Sequence, residues 1–320
     1  MFKLSARIEI RSATKRWTFD KVARVEITRD MDTLTDLCVM TLPRKVRWQG
    51  EERMPVQRGD EVGVWLGYDD DLGLAFRGFV TTIGAKTPVE IHCEDRMFRL
   101  KQQEARKLAY KSATVEEILR DQNLGVPFRV FGEQRIGQFR VTASTVTELL
   151  GQLKDQGGIR SFFRLEEGEP VLYSGVLFER EASVRQVFAT GVNLIDDTQL
   201  EVQNAADLKL KVRAISLLPN NKRILVDVGD ADGEKRTLHA YNKTEPELRA
   251  WAEQELRRLK QDGLKGTFTT FGAVLIDKLD HIGIRIDGIR RGVYQVQKNI
   301  IKYGTDGFRQ EITLGQRVTQ

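Results

Sequence analysis

The chain has 320 residues, 40% of them hydrophobic, which is enough to fill the cores of two or three domains. Its 51 Lys and Arg against 46 Asp and Glu leave a formal charge of +5, a dense but nearly balanced surface that does not point to specific nucleic-acid binding. Charge interrupts every hydrophobic stretch before it reaches spanning length, and Met1 to Arg7 lack the apolar core of a secretory signal, so no membrane segment and synthesis in a cytoplasm are expected.

From residue 1 to about 100 the apolar residues alternate with period two: Ala6, Ile8, Ile10; Val25, Ile27; Leu37, Val39; Val62, Val64, Leu66. This predicts an antiparallel sheet with one packed face, closed into a compact barrel or sandwich. Asp69, Asp70 and Asp71 lie between two strand-like runs. Three carboxylates in a row could hold a cation, but a solvated hairpin tip is the simpler expectation. Cys38 and Cys93 both fall in strand-like runs and read as buried free thiols. The basic run Arg96 to Lys101 reads as a solvated face.

Between about 110 and 160 the period becomes helical. Thr114-Val115-Glu116-Glu117-Ile118-Leu119 and Thr145-Val146-Thr147-Glu148-Leu149-Leu150 both have a threonine cap, a glutamate three residues on and an aliphatic stripe. Gly125 and the Gly157-Gly158 pair are the expected stops. A hairpin around Gly168 follows, completing a small α+β domain. From about 190 strands resume, with Asp230 to Gly233 expected as a hairpin turn. Thr244 and Glu247 open a longer helix whose apolar stripe is Leu248, Trp251, Ala252, Leu256 and Leu259, ending at Gly263.

A repeat spans the chain. Asp60-Glu61-Val62-Gly63-Val64 returns as Asp280-His281-Ile282-Gly283-Ile284, and Gly78-Phe79-Val80 as Gly292-Val293-Tyr294. Val89 to Cys93 returns as the alternating stretch Arg309 to Leu314. Three landmarks recurring in one order predict a single β module used twice. The expected fold is mainly β with an α+β insertion: related antiparallel β domains, each a barrel or sandwich, over 1–105 and 189–320, the second carrying a helix at 245–262, around a small α+β domain at 106–188.

Motifs for chemistry are missing. There is no phosphate loop, nucleophile elbow, C-x-x-C or H-E-x-x-H. His92 beside Cys93 would point to opposite faces of a strand, so the pair cannot easily chelate one ion. No catalytic, cofactor-binding or metal site is expected, and the chain reads as non-enzymatic.

Three stretches, Gln57 to Tyr68, Phe76 to Val80 and Ile91 to Met97, together resemble the first tube domain of contractile-tail baseplate hub proteins. That family includes phage late control D proteins and the N-terminal part of type VI secretion spike proteins. Asn193 to Asp197, Gly266 to Gly272, Gly292 to Val296 and Gly307 to Gly315 are similar to later parts of the same family. The resemblance implies a homotrimer whose two tube-like barrels per chain form a pseudo-sixfold ring, joining a hexameric tail tube to a trimeric central spike. Its implied partners are the tail tube protein, a spike protein and other baseplate proteins of a phage tail, prophage or contractile injection system. The sequence ends five residues after Gly315, so the spike is expected to be a separate polypeptide. Within this frame Val62, Val64, Ile282 and Ile284 are the expected inter-subunit or barrel strands, and Asp69, Asp70 and Asp71 a loop at a ring face. The alternatives are a tail-borne cell-wall hydrolase and a monomeric β-rich module binding glycans or nucleic acid.

Overall fold

The computed structural model describes residues 3–43, 55–178, 183–286 and 290–318. Its dominant feature is one sheet of thirteen strands to which both ends of the chain contribute. Alternation builds it: Ile8, Ile10, Val25, Ile27, Val62, Val64 and Leu66 all turn to one buried cluster. Fully burying such a side chain contributes roughly 1.5–3 kcal/mol. A second cluster forms from Phe268, Ile282, Ile284, Tyr294, Val296 and Ile312.

Eight consecutive strands of this sheet fall into two four-strand units in the same spatial order. The first runs Arg24–Asp30, Leu37–Thr41, Glu90–Glu94, Asp71–Ile83, and the second Leu194–Gln203, Gly263–Phe271, Gly307–Val318, Arg290–Gly304. Their inner ladders superpose without a gap. Thr41 to Leu37 pair with Glu90 to Glu94, as Phe271 to Thr267 pair with Arg309 to Thr313. A β-bulge falls two residues after the shared glycine in both, between Val80 and Thr82 and between Tyr294 and Val296. The repeat read from the sequence is therefore a repeat of strand pairing, although the two bulges fall on different rungs, opposite Cys93 and His92 in the first unit and opposite Arg317 and Leu314 in the second.

One seam joins the two units. Arg290–Gly304 pairs with His281–Ile286 through its first half, and its second half, Lys298 to Gly304, lies antiparallel against Arg24–Asp30. Ile301, Tyr303 and Phe308 thereby enter the core of the N-terminal unit. Strand Val184–Ala189, which straddles the expected boundary at residue 188, pairs in parallel with His281–Ile286 and so packs with the C-terminal unit.

The central α+β part contains α1 (Met97–Leu100), α2 (Val115–Asp121) and α3 (Val146–Gly157), packed over a sheet of Phe128–Phe131, Glu169–Gly175 and Arg160–Glu166. Both predicted capping boxes form: Thr114 accepts from the Glu117 N–H at 3.1 Å, and Thr145 from the Glu148 N–H at 3.2 Å. Gly158, in the left-handed region, ends α3. The stop of α2 comes earlier than Gly125, because the chain leaves the helix at Gln122 and Asn123 takes positive φ. The hairpin at Gly168 forms as expected.

The insertion in the C-terminal unit is larger than a helix. Leu210–Leu217, Arg223–Gly229 and Glu234–Tyr241 form their own three-stranded sheet, covered by α4 (Glu245–Leu259) through Leu248 and Ala252. Here the Asp230 to Gly233 expectation is corrected. This segment does not close a hairpin, since Leu210–Leu217 sits between the two strands it connects. It wraps the start of that central strand, with the Asp230 N–H donating to the Leu210 carbonyl at 2.8 Å. Alternate burial on Leu210, Val212 and Ala214 gives that strand the central place. Gly263 opens the next strand rather than ending α4, which stops at Leu259.

Candidate functional site: open sheet edges and a buried ionic junction

Val62 (2% exposed), Val64 (0%), Ile282 (0%) and Ile284 (2%) are core residues. Their strands are paired on both sides: Glu61–Tyr68 with Leu4–Arg11 and Asp71–Ile83, and His281–Ile286 with Val184–Ala189 and Arg290–Gly304. Backbone groups for pairing with another chain therefore lie elsewhere.

Asp69 and Asp70 form the two-residue tip between Tyr68 and Asp71, both at positive φ, which Asp tolerates better than most residues. The tip is pinned to the start of the first strand. Asp69 accepts from the Lys3 N–H at 2.8 Å and Asp70 from the Ser5 hydroxyl at 2.9 Å. Among the described residues no group of three or more His, Cys, Asp or Glu is placed to hold a metal ion.

The long strand Leu194–Gln203 pairs with Gly263–Phe271 on one side and lies at the end of the sheet order. Among the described residues its other side meets only Thr190, bridged to Leu194, and an open edge of this length, carrying exposed apolar side chains, invites another strand. Ile195 is 42% and Val202 46% exposed, and Val192, in the turn leading into the strand, is 72% exposed. Asp196, Asp197 and Glu201 give the same edge a negative charge. In the first unit, Asp71–Ile83 pairs with Glu61–Tyr68 only as far as Phe79, while the Val80 backbone is held by Gly59 and Asp60. Beyond it, Thr81 to Ile83 have Glu90–Glu94 as their only ladder partner among the described strands.

A second constellation was not visible in the sequence. Residues 272–280, between two strands of the C-terminal unit, carry Lys278 into the interior at 0% exposure. Its ammonium donates to Asp36 at 2.5 Å and lies 4.9 Å from the centre of the Phe162 ring. Arg29 donates to the Ile276 carbonyl at 3.1 Å and faces Asp277 at 3.5 Å, while Arg164 donates to Asp280 at 2.8 Å. Three parts of the chain meet here: Arg29 and Asp36 from the first unit, Arg164 from the α+β part, and 276–280 from the second. Asp95 accepts the Asp36 N–H and the Met97 N–H, each at 2.9 Å.

Burial sets the protonation balance of this junction. It pushes the Asp95 carboxyl up to about 7, with the negative charge of Asp36 adding to the effect. Burial also raises Asp36, against the pull of Lys278. Burial acts to raise Asp277 too, but Arg29, Arg164 and Lys278 outweigh it and hold that carboxyl below its ordinary value. The loop is fastened further by Gln310, which accepts from the Ile276 N–H at 3.0 Å and donates to the Val274 carbonyl at 2.8 Å.

Cys38 and Cys93 face each other across adjacent strands as buried free thiols, both pushed up by burial. Arg99 and Lys101 of the basic run are exposed, and each is held at the surface: Arg99 lies 4.4 Å from the centre of the Phe79 ring, and Lys101 pairs with Glu94 at 2.6 Å. A cleft of about 890 Å³ runs between the α+β part, the insertion and the second unit. Among its charges, Arg160 pairs with Asp32 at 3.2 Å and Lys265 with Glu201 at 3.0 Å. No helix among the described residues is long and apolar enough to cross a membrane.

The sequence matches no protein-family model and no curated protein. The fold, by contrast, matches solved structures over nearly its full length. A tail protein from Neisseria meningitidis MC58 is similar with a TM-score of 0.66 at 15% identity, covering 98% of this chain and 96% of that one. The 43 kDa tail protein of prophage MuSo2 from Shewanella oneidensis gives 0.60 at 16% identity, with 97% and 96% covered. The E. coli c3393 protein, a component of the type VI secretion system described as structurally similar to the bacteriophage tail proteins gp27 and gp5, gives 0.54 at 13%, covering 98% of this chain and 77% of that one. The chain has the fold that these tail and secretion-system proteins share.

Proposed function

We propose that this protein is a structural baseplate component of a contractile phage tail or tail-like injection particle, acting as a hub. Its two repeated β units serve as tube-like modules around the α+β part, along the divisions 1–105, 106–188 and 189–320, with strand Val184–Ala189 joining the last. Three chains with two modules each present six similar units to a hexameric tail tube on one face, and threefold symmetry to a trimeric central spike on the other. The single observation that carries the reading is the duplicated four-strand unit within a fold matched end to end by tail proteins. A chain with two copies of one module has the built-in means to join sixfold and threefold neighbours.

The role requires no catalysis. The buried ionic residues are engaged with one another across the three parts of the chain, which suits a rigid joint better than a reaction centre. A ring of this kind would bury on the order of 2,000 Å² or more at each subunit boundary. The test is the native mass by light scattering over a range of concentrations. A species of three chain masses is expected. A monomer persisting at high concentration overturns the ring and returns attention to a monomeric binding module.

A further inference from the structure

The seam inside the chain is a template for the seam between chains. Within one molecule, the second half of Arg290–Gly304 takes the strand Arg24–Asp30 along seven residue pairs, Lys298 with Asp30 through Gly304 with Arg24. The ladders fix what is equivalent to each partner in the other unit. Ile83 pairs with Ile91 where Ile301 pairs with Gln310, and Ile91 and Gln310 lie opposite the matched residues Met40 and Thr270. The distal end of Asp71–Ile83 thus corresponds to the part of Arg290–Gly304 that makes the seam. On the other side, Val25 and Glu26 face Met40 and Val39, as Leu194 and Asp196 face Thr270 and Thr269. Strand Leu194–Gln203 is accordingly the counterpart of Arg24–Asp30, and among the described residues its outer side meets only Thr190, bridged to Leu194.

We infer that the Leu194–Gln203 edge of one chain pairs with the Thr81–Ile83 end, running on toward Lys86, of a second copy. The pairing is antiparallel and places Gln199 near Thr82 and Asp196 near Gly84. This inference rests on the ring reading and deepens it by naming the edges that meet. Four observations favour a second copy as occupant. The two edges, open among the described strands, are the equivalents of two strands that already pair within the molecule. The contact is head to tail, so it closes into a ring when the rotation per subunit allows. The incoming edge carries Asp196, Asp197 and Glu201 toward a segment ending in Lys86 and free of acidic residues from Thr81 to Val89. Two copies of the acidic edge would repel each other, which disfavours a twofold contact.

The experiment uses the full-length chain with Thr82→Cys and Gln199→Cys, both at exposed positions, treated with a short bismaleimide; the native Cys38 and Cys93 are buried. Under denaturing conditions the double variant is expected to run as covalent dimers and trimers, and either single variant as monomer. In parallel, Ile195→Asp with Val202→Asp changes exposed side chains and is expected to convert the oligomer to monomer with an unchanged far-UV spectrum. A trimeric wild type whose double-cysteine variant stays uncross-linked, or whose aspartate variant stays trimeric, overturns the edge assignment and leaves the ring standing. A monomeric wild type overturns both.

Discussion

Lys278 shows how much one residue can bind together. It emerges from residues 272–280 of the C-terminal unit and ends on Asp36 of the N-terminal unit beside Phe162 of the α+β part. A buried cation is tolerated only with partners, and removing one side of such a pair costs about 3–5 kcal/mol. Asp95 gives the junction a pH dependence whose sign follows from burial. An unfolded aspartate titrates near 3.9, whereas folded Asp95 titrates at about 7. The folded state therefore holds the proton more tightly, so this group's stabilisation is complete below about pH 4 and lost as pH rises through about 7. Asp277 acts oppositely, its stabilisation present above the unfolded value and lost in acid. Melting temperatures of wild type and Asp95→Asn, measured between pH 5 and 8, should separate the first effect: the wild type loses several degrees across the range and the variant loses less. Parallel curves would mean that Asp95 stays ionised in the folded protein. None of this was legible in the sequence, because Arg29, Asp36, Asp95, Arg164 and Lys278 are spread over some 250 positions with no spacing signature.

The elements were more legible, for local reasons. Capping boxes and the turn at Gly168 are written within a few consecutive residues, and both threonine boxes of α2 and α3 form where the sequence places them. Strand partnership is less local. The Asp230 to Gly233 segment looked like a hairpin turn because the two runs beside it alternate, yet each pairs with the earlier strand Leu210–Leu217. Turn chemistry fixes where a chain bends, while burial decides which strand is central. The same insertion has a clean base: Gln203 lies directly opposite Gly263 in the antiparallel ladder. Ladder partners are about 5 Å apart, a gap that a two-residue turn closes. Replacing 204–262 with Asn-Gly should therefore leave the large sheet folded and self-association intact. Loss of the oligomer, with far-UV β signal retained, would show instead that the insertion takes part in assembly.

At the scale of the whole molecule, the repeat identified two units, but the seam makes them one folding body. A boundary drawn near residue 105 follows the sequence pattern, yet the core of the first unit includes Ile301, at 0% exposure, Tyr303 at 7% and Phe308 at 0%. These residues arrive through seven strand pairs along Arg24–Asp30 and through Tyr68, whose ring lies tilted 5.6 Å from that of Phe308 and whose hydroxyl donates to its carbonyl at 3.1 Å. Residues 1–105 expressed alone would lose all three side chains and bare the edge of Arg24–Asp30. Truncating even one large buried aromatic costs about 3–5 kcal/mol, against a total stability of about 5–15 kcal/mol for a typical domain. The fragment should lack a cooperative thermal transition and aggregate through its exposed edge, whereas the full chain should melt its two units together. Dispersed amide resonances and a sharp transition for 1–105 would show that the first unit folds unaided, and that the seam adds only to a structure already complete.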